Sequence, residues 1–452
     1  MRKFLVLVSF LLFAAIYLGG SLTVLENLSI SFFVFFFLDF LNSLGKRIVI
    51  LDLTIIMGFL TCLVMPVVFY YFYTKDNPLA RLWIKYMPIS SDDYFSFALP
   101  AMLALVAGLK IPLGRFAVNR HPEIYIENVK RYLVDHRQLG LILIAVGVIS
   151  GMLDFLAPAG LREVFNLMAH LTFVGVFYVI YSPGKNKRLV VPGVILLMIG
   201  QSIATGMFGE FVFILACSLI LILLGKHYPM PRKLGIAVLG LFLVVLIQSI
   251  KGDYRKRSWT QGGADAGYFV ELLAQRISSP SSFLDPSNLF VTSVRMNQGW
   301  LVATTMKMVP QKHPFGDGEP LLESVAAAFV PRFLWPDKPE AGGKANLKRF
   351  WGFNLVGFST NIGPLGEAYA NFDRFGGIIY MFFYGLFFNM GLSTILKLSD
   401  RRPTLVLWLP FLFFTAIAVE TDLLSTMGAL IKSAIFTLIV FWLFRKAWNL
   451  RL

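Results

Sequence analysis

Long apolar runs separated by short polar loops dominate the chain. Stretches such as 48–73, 139–156 and 376–396 approach or exceed the roughly 20 apolar residues that cross a bilayer core as a helix. They lack the alternation of barrel strands, and a helix satisfies its own backbone hydrogen bonds in lipid. The pattern predicts twelve transmembrane helices over about 4–19, 29–44, 48–73, 93–109, 139–157, 164–181, 189–205, 210–225, 234–250, 376–396, 403–419 and 423–443.

The composition supports a polytopic membrane protein. Hydrophobic residues make up 57% of the 452 residues, charged residues make up 15%, and the mean hydropathy is +0.69. A soluble domain of this length would need far more polar surface. In a soluble protein the net charge of +15 would indicate nucleic-acid binding, but here it follows from membrane topology. We therefore expect the lipid bilayer as a partner and no nucleic acid.

The basic residues predict the orientation. With twelve spans, both termini and the short loops on their side hold 22 of the 41 Lys and Arg residues. Cytoplasmic loops carry such an excess in membrane proteins. We therefore expect a multi-pass protein of a bacterial inner membrane, with both termini in the cytoplasm and residues 251–375 on the periplasmic side.

Residues 251–375 form the one large polar interruption between the spans, and we call them the long polar segment. The long polar segment divides the chain into three parts: an N-terminal bundle of about nine spans (1–250), the segment itself (251–375) and the C-terminal spans (376–452). Within the segment the pattern predicts short helices near 268–277 and 289–308. The apolar stretch 317–330 is too short to span and predicts an amphipathic or re-entrant helix. Residues 331–375 are predicted to be irregular.

The long polar segment combines cations with aromatic rings. Arg offers a bidentate fork to phosphate, and Trp and Tyr rings stack on the apolar faces of sugars. This combination favours a lipid-diphosphate-linked glycan, while simple anchoring at the membrane interface would produce a similar composition. Three prolines in the stretch VPRFLWPDKP fix the backbone and predict a rigid turn that orders Arg332, Trp335 and Lys338.

Specific motifs in this segment resemble a known family. The sequence FVPRFLWPDKP at 329–339, Ala345–Asn346, Pro364 and GEAYANF at 366–372 are similar to the Wzy-type family of O-antigen and enterobacterial-common-antigen polymerases. About 45 residues carry the resemblance, and Arg332 and Gly343 also have the ten-residue Arg–Gly separation found in that family. The resemblance implies an all-α integral membrane glycosyltransferase of about twelve spans (GT-C-like), with one large extracytoplasmic loop containing short helices.

The reaction implied by the resemblance is glycan transfer in the synthesis of a bacterial surface polysaccharide such as lipopolysaccharide. A growing glycan on undecaprenyl diphosphate would move to a hydroxyl of a second lipid-linked repeat unit, and a chain-length-regulating co-polymerase is a further expected partner. Such a reaction needs cations for the leaving diphosphate and a base for the acceptor hydroxyl. We expect Glu367 as the base, with His313 second, and Arg332 as the catalytic cation. The expected substrate-binding residues are Lys251, Arg255, Arg276, Arg295, Trp335, Lys338, Tyr369 and Asn371.

No cofactor is expected, and a divalent metal is left open. Asp317 with Glu319, and Glu420 with Asp422, are carboxylate pairs of the kind that hold Mg²⁺ against a diphosphate. Other functions also stay open at this point. An O-antigen ligase that transfers glycan to a lipid A core has the same layout, and a flippase would be expected to show two repeated halves and charged spans.

Overall fold

A computed structural model describes residues 2–113, 122–158, 161–184, 187–206, 208–260, 266–279, 285–330, 332, 334–356 and 359–448. Within these ranges the chain is all-helical, and no β-sheet forms apart from one isolated bridge between Leu44 and Arg47. The α-helices are Arg2–Gly19 (α1), Val24–Ser43 (α2), Ile50–Phe59 (α3), Met65–Phe72 (α4), Pro78–Leu82 (α5), Ser91–Lys110 (α6), Pro122–Asp135 (α7), Leu139–Leu153 (α8), Arg162–Ala169 (α9), Leu171–Tyr181 (α10), Lys187–Thr205 (α11), Gly209–Leu223 (α12), Met230–Thr260 (α13), Ala266–Ser278 (α14), Pro286–Met296 (α15), Gly299–Met308 (α16), Glu319–Phe329 (α17), Lys344–Trp351 (α18), Gly363–Ser399 (α19), Leu409–Ile417 (α20) and Leu423–Trp448 (α21).

Eight helices of the described part of the chain are long and apolar enough to cross a membrane, which is the pattern of a multi-pass membrane protein. They are Val24–Ser43, Ile50–Phe72, Ser91–Lys110, Arg162–Tyr181, Lys187–Ala204, Met230–Arg257, Gly363–Ser399 and Leu423–Lys446. The pair α7 and α8 gives a ninth if it counts as one span bent by 87°. The remaining expected spans fall on shorter apolar helices, namely Phe4–Gly19, Ile214–Leu223 and Pro403–Ile417. The total of twelve and the GT-C-like arrangement stay predictions.

Helices α6 and α19 form the most extensive pair among the described helices, and both contribute buried residues to the main hydrophobic core. Glycines allow this close approach. A Cβ atom at Gly108 would overlap the carbonyl oxygen of Phe382, and one at Gly385 would overlap the carbonyl oxygen of Leu105. Small residues at such crossings let two backbones touch, which is how apolar helices gain packing energy in a bilayer.

A proline explains the short π-helix between α3 and α4. Between α3 and α4 the chain runs as a π-helix, Leu60–Val64, which ends two residues before Pro66. A proline has no N–H to donate to the carbonyl four residues earlier, here that of Cys62. The buried Tyr94 hydroxyl donates to that carbonyl instead, at 2.7 Å, so the backbone group keeps a partner inside the protein.

The long polar segment is more helical than its sequence indicates. The helices α14 and α17 lie where short helices are expected, and α17 packs against α21. The expected helix over 289–308 is wrong as one unit, because the chain breaks between α15 and α16 and Asn297 Oδ1 accepts a hydrogen bond from the backbone N–H of Trp300. The expectation that 331–375 is irregular is also wrong in part, since α18 and the first ten residues of α19 are helical.

Helix α19 consists of two parts that meet at a kink. Asp373 has φ 56° and ψ −164°, which no helix interior adopts. The carbonyl groups of Ala370 and Asn371 at the end of the first part accept hydrogen bonds from the backbone N–H groups of Gly316 and Asp317, at 3.0 and 3.1 Å. The loop before α17 therefore caps a short helix that carries Glu367, Tyr369 and Asn371.

Candidate functional site

Glu367 is a buried junction between three helices. Its side chain is 1% exposed. Its Oε1 accepts a hydrogen bond from Asn346 Nδ2 of α18 at 2.7 Å, and its Oε2 accepts one from the backbone N–H of Leu423 at the start of α21, at 2.9 Å. A buried carboxylate is costly unless it is hydrogen-bonded, and these two bonds stabilise it. Glu367 thus lies where α18, α19 and α21 meet, away from solvent.

Asp422 joins the chain before α18 to the N-terminus of α21. It is 2% exposed and caps α21, with its Oδ1 accepting from the backbone N–H of Ser425 at 2.8 Å. Its Oδ2 accepts from the backbone N–H of Gly343 at 2.9 Å, and Gly342 N–H donates to Ser425 Oγ at 3.1 Å. The two glycines are therefore fixed on the N-terminus of α21.

Gly343 occupies a position that suits glycine alone. Its φ is +81°, and an added Cβ would overlap the carbonyl oxygen of Thr360 and lie 2.5 Å from Asn361 Oδ1. The backbone carbonyl of Asn361 in turn accepts a hydrogen bond from Gln298 Nε2 at 2.8 Å. The close approach joins the chain before α18 to the loop before α19.

Tyr369 and Asn371 face the protein interior. The Tyr369 ring contacts Phe97 and Phe315, with ring centroids 5.3 and 6.0 Å apart, and the side chain is 6% exposed. Asn371 is 1% exposed; its Nδ2 donates to the carbonyl of Glu367 at 2.8 Å, while its buried Oδ1 has no hydrogen-bond partner. Both residues hold the first part of α19 in place in this geometry.

Three of the expected cations come together at the end of α13. Lys251, Arg255 and Arg295 lie close enough for their positive charges to repel one another, and Glu420 lies close enough to attract Lys251. Lys251 is 9% exposed, Arg295 is exposed, and Arg255 Nε donates to the carbonyl of Gly206 at 2.9 Å. We call Lys251, Arg255, Arg295 and Glu420 the cation cluster. Its excess of positive charge suits an anion.

Glu420 is the carboxylate of this cluster, close enough for the positive charge of Lys251 to act on it. It lies in the loop between α20 and α21, two residues before Asp422, which is turned toward Gly343. Part of the Glu420 side chain is accessible to solvent, yet desolvation by the surrounding protein raises the pKa of its carboxyl, and the positive charge of Lys251 opposes that rise. The loop therefore places Glu420 near Lys251 and Asp422 against the backbone N–H of Gly343.

Arg276 pairs with residues of α13 that are not members of the cation cluster. Its guanidinium is 3.1 Å from Asp253 Oδ2 and donates to the carbonyl of Ser249 at 3.1 Å. Both partners belong to α13, so the contact fastens α14 to α13. The Arg276 charge is largely compensated within the protein.

Arg332, Trp335 and Lys338 lie on a second surface. Lys338 Nζ donates to the carbonyl of Val330 at 2.9 Å, and the Lys338 N–H donates to the carbonyl of Trp335 at 3.2 Å, so the expected turn is hydrogen-bonded. Partial burial, followed by the positive charges of Arg332 and Lys432, lowers the pKa of the Lys338 ammonium. An open groove of about 520 Å³ runs beside this turn, and its lining includes Arg332, Lys338, Lys344, Lys348, Asp337 and Glu340. Pro331, one of the three prolines behind the expected turn, lies outside the described residues.

Three of the four carboxylates considered for a metal interact with other groups of the protein. Glu319 pairs with Arg349, and Asp422 caps α21 while Glu420 faces Lys251. Within the described ranges no group of three or more His, Cys, Asp or Glu side chains converges as a metal site.

The sequence did not predict that two further residues hold the junction around Glu367 together. Asn346 donates a hydrogen bond to Glu367, and Asp422 accepts one from the backbone N–H of Gly343. In the sequence, Asn346 was noted only through the family resemblance and Asp422 only as half of a carboxylate pair. The available signal was Asp422 directly before the apolar run that begins at Leu423, the position of a typical helix N-cap.

Comparison with known proteins places the chain in a family. No curated protein and no solved structure matches it. A family model described as "Domain of unknown function (DUF8712)" matches residues 24–394, a range that includes α2 through most of α19 and contains Glu367, Gly343 and the three clustered cations. Since this match spans well over half of the 452 residues, the chain belongs to the family of the domain of unknown function DUF8712.

Proposed function

We propose that the chain is a membrane glycosyltransferase that polymerises lipid-linked oligosaccharide repeat units. The observation that carries the proposal is the cation cluster at the end of α13, where a membrane-spanning helix passes into the long polar segment. A diphosphate on a lipid carrier lies at this depth, at the boundary between hydrocarbon and water. The resemblance of residues 329–339 and 366–372 to O-antigen polymerases supports the same substrate class.

The proposed reaction breaks the bond between the anomeric carbon of the growing glycan and its undecaprenyl diphosphate. The acceptor hydroxyl oxygen forms the new bond to that carbon, and undecaprenyl diphosphate leaves with the bonding electron pair. Lys251, Arg255 and Arg295 neutralise the charge that grows on the leaving diphosphate. Glu420 faces them and accepts the proton of the acceptor hydroxyl, a role that a carboxyl of raised pKa fills well.

In this mechanism Glu367 is a positioning residue. The loop 418–422 carries both Glu420 and Asp422, and Glu367 holds the next residue, Leu423, by accepting a hydrogen bond from its backbone N–H. The catalytic role expected for Glu367 from the sequence remains the competing hypothesis. The basic groove lined by Arg332 and Lys338, with Trp335 on the adjoining turn, is the proposed contact surface for the glycan.

Reconstitution tests the activity directly. The purified chain is placed in vesicles with lipid-linked repeat units that accumulate in cells lacking the gene. We expect a ladder of lipid-linked glycans that grow by one repeat unit, together with released undecaprenyl diphosphate. Product that forms only when lipid A core is added would identify a ligase, and movement of the substrate across the bilayer without a new bond would identify a flippase. Either result would overturn the proposal.

Replacing one cation of the cluster tests its role. We expect Arg295→Gln to lower kcat about 10- to 100-fold, because one charged donor to the leaving group is lost while Lys251 and Arg255 remain. The melting temperature should not change, since Arg295 is exposed at the end of α15. The matched control is Arg131→Gln on α7, whose side chain is 76% exposed and pairs with Glu127 of the same helix. Equal rates for the two variants would remove the cation cluster from the mechanism.

Cysteine labelling tests the proposed orientation of the chain in the membrane. With both termini cytoplasmic, a cysteine placed at Lys344 should react with a membrane-impermeant thiol reagent added to intact spheroplasts, and one placed at Arg131 should react only after lysis. The two native cysteines, Cys62 and Cys217, are buried and serve as the background. The reverse labelling pattern would invert the topology.

A further inference from the structure

A second polar cavity lies at the opposite end of the α6–α19 pair from Glu367. The two helices run parallel: Arg374 of α19 contacts Asp93 at the start of α6, and Asn389, further along α19, donates to the carbonyl of Ile111 just after the end of α6. At that far end α2 stops, α3 begins and α6 stops, and a cavity of about 480 Å³ opens between them and α19. Because several spans end there, the cavity lies at headgroup depth on the other face of the membrane.

Four charged side chains line this cavity and form one network. Arg47 donates from both terminal nitrogens to the two carboxylate oxygens of Asp52, at 2.8 Å each. Lys110 Nζ lies 2.9 Å from Asp39 and 3.2 Å from Asp52, and Arg47 lies 3.7 Å from Asp39. The formal charges of the network cancel. Its side chains keep between 7% and 30% of their surface exposed, so each is reachable from the cavity.

The remaining wall of the cavity is largely apolar. Its aliphatic side chains include Ile48, Leu51, Ile55, Leu392 and Leu396. A site with charges of both signs on one side and aliphatic groups on the other fits an amphiphile with a zwitterionic head. An anionic head would meet Asp39 and Asp52 without any positive group of its own to compensate them.

We propose that this cavity binds a phospholipid with a phosphoethanolamine headgroup. Its phosphate lies against Arg47 and Lys110, its ammonium donates to Asp39 and Asp52, and its glycerol and upper acyl chains lie along the aliphatic wall. The primary ammonium matters, because it donates three hydrogen bonds that the quaternary ammonium of a phosphocholine head lacks. This lipid site is separate from the proposed glycosyl transfer and does not depend on it.

Lipid selectivity of the unaltered protein tests the proposal first. The purified full chain in detergent is titrated with dioleoyl phosphatidylethanolamine, its N-methyl and N,N-dimethyl derivatives, phosphatidylcholine and phosphatidylglycerol, and bound lipid is counted by native mass spectrometry. We expect phosphatidylethanolamine to bind about tenfold more tightly than phosphatidylcholine, with the methylated lipids between them, because charge-assisted hydrogen bonds are lost stepwise. Equal binding of the two zwitterionic lipids, or preference for phosphatidylglycerol, overturns the proposal.

A single substitution then locates the site. Asp39→Asn removes one carboxylate that faces the ammonium and leaves the bidentate Arg47–Asp52 pair in place. We expect the preference for phosphatidylethanolamine over phosphatidylcholine to fall to about threefold or less. The control is Asp135→Asn at the exposed end of α7, outside the cavity, which should keep the full preference. An unchanged preference in Asp39→Asn would place the lipid elsewhere and overturn the assignment.

Discussion

Gly343→Ala is expected to disrupt the junction around Glu367 and to abolish transfer activity. The new Cβ would overlap the backbone carbonyl oxygen of Thr360, and a backbone atom cannot move away as a flexible side chain can. The displaced segment would carry Gly343 N–H away from Asp422 and Asn346 away from Glu367. A hydrogen bond to a charged group is worth about 1.5–3 kcal/mol, so two such losses and the strain of a positive φ amount to more than about 4 kcal/mol.

Gly342→Ala is the matched control for that variant. Gly342 has the same φ of +81°, but its added Cβ would meet only the Ser359 Cβ, at 3.3 Å. It should therefore cost only the conformational penalty of about 1–2 kcal/mol. The measurement is the melting temperature of each purified variant in detergent, together with protease cleavage within 331–360. Equal melting temperatures for the two alanine variants would contradict the close approach at Gly343.

The apolar spans could be predicted from the sequence because lipid imposes one solution on long hydrophobic runs. The short helices α14 and α17 were predictable for a similar reason, since each has an apolar stripe at helical spacing. The first part of α19 was not, because its glycines and Pro364 looked like a turn. A proline is tolerated in the first turn of a helix, and the sequence GEAYANF after it is compatible with one.

The contacts of the candidate site could not be predicted from the sequence. The basic residues near the end of α13 were candidates by residue type alone, and only the packing of α14 on α13 separates Arg276, which pairs with Asp253, from the cation cluster. Likewise the partners of Glu367 stand 21 and 56 residues away along the chain. No local pattern encodes pairings of that range, so the burial of Glu367 emerges only from the tertiary structure.

Glu367 and Glu420 are expected to respond in opposite ways to the loss of a carboxylate. Glu367→Gln should fold, because the new amide oxygen can accept from Leu423 N–H, and the Asn346 amide can rotate so that its oxygen accepts from the new NH₂ group. The substitution also removes the repulsion between two neighbouring buried carboxylates, Glu367 and Asp422. As a positioning residue, Glu367 should therefore tolerate glutamine with kcat lowered less than about tenfold. A catalytic base at this position would instead lose 10²–10⁴-fold, about the value of general base catalysis.

Glu367→Leu completes the comparison by removing both acceptors. The Leu423 N–H and the Asn346 amide would then be buried without partners, at about 1–3 kcal/mol each, so the melting temperature and the activity should fall together. Glu420→Gln should leave the melting temperature unchanged and lower kcat about 10²- to 10⁴-fold, because the amide cannot accept the proton of the acceptor hydroxyl. The measurement is kcat in the vesicle assay beside the melting temperature of each variant. An inactive but stable Glu367→Gln together with an active Glu420→Gln would exchange the two roles and make Glu367 the base, as its sequence context predicts.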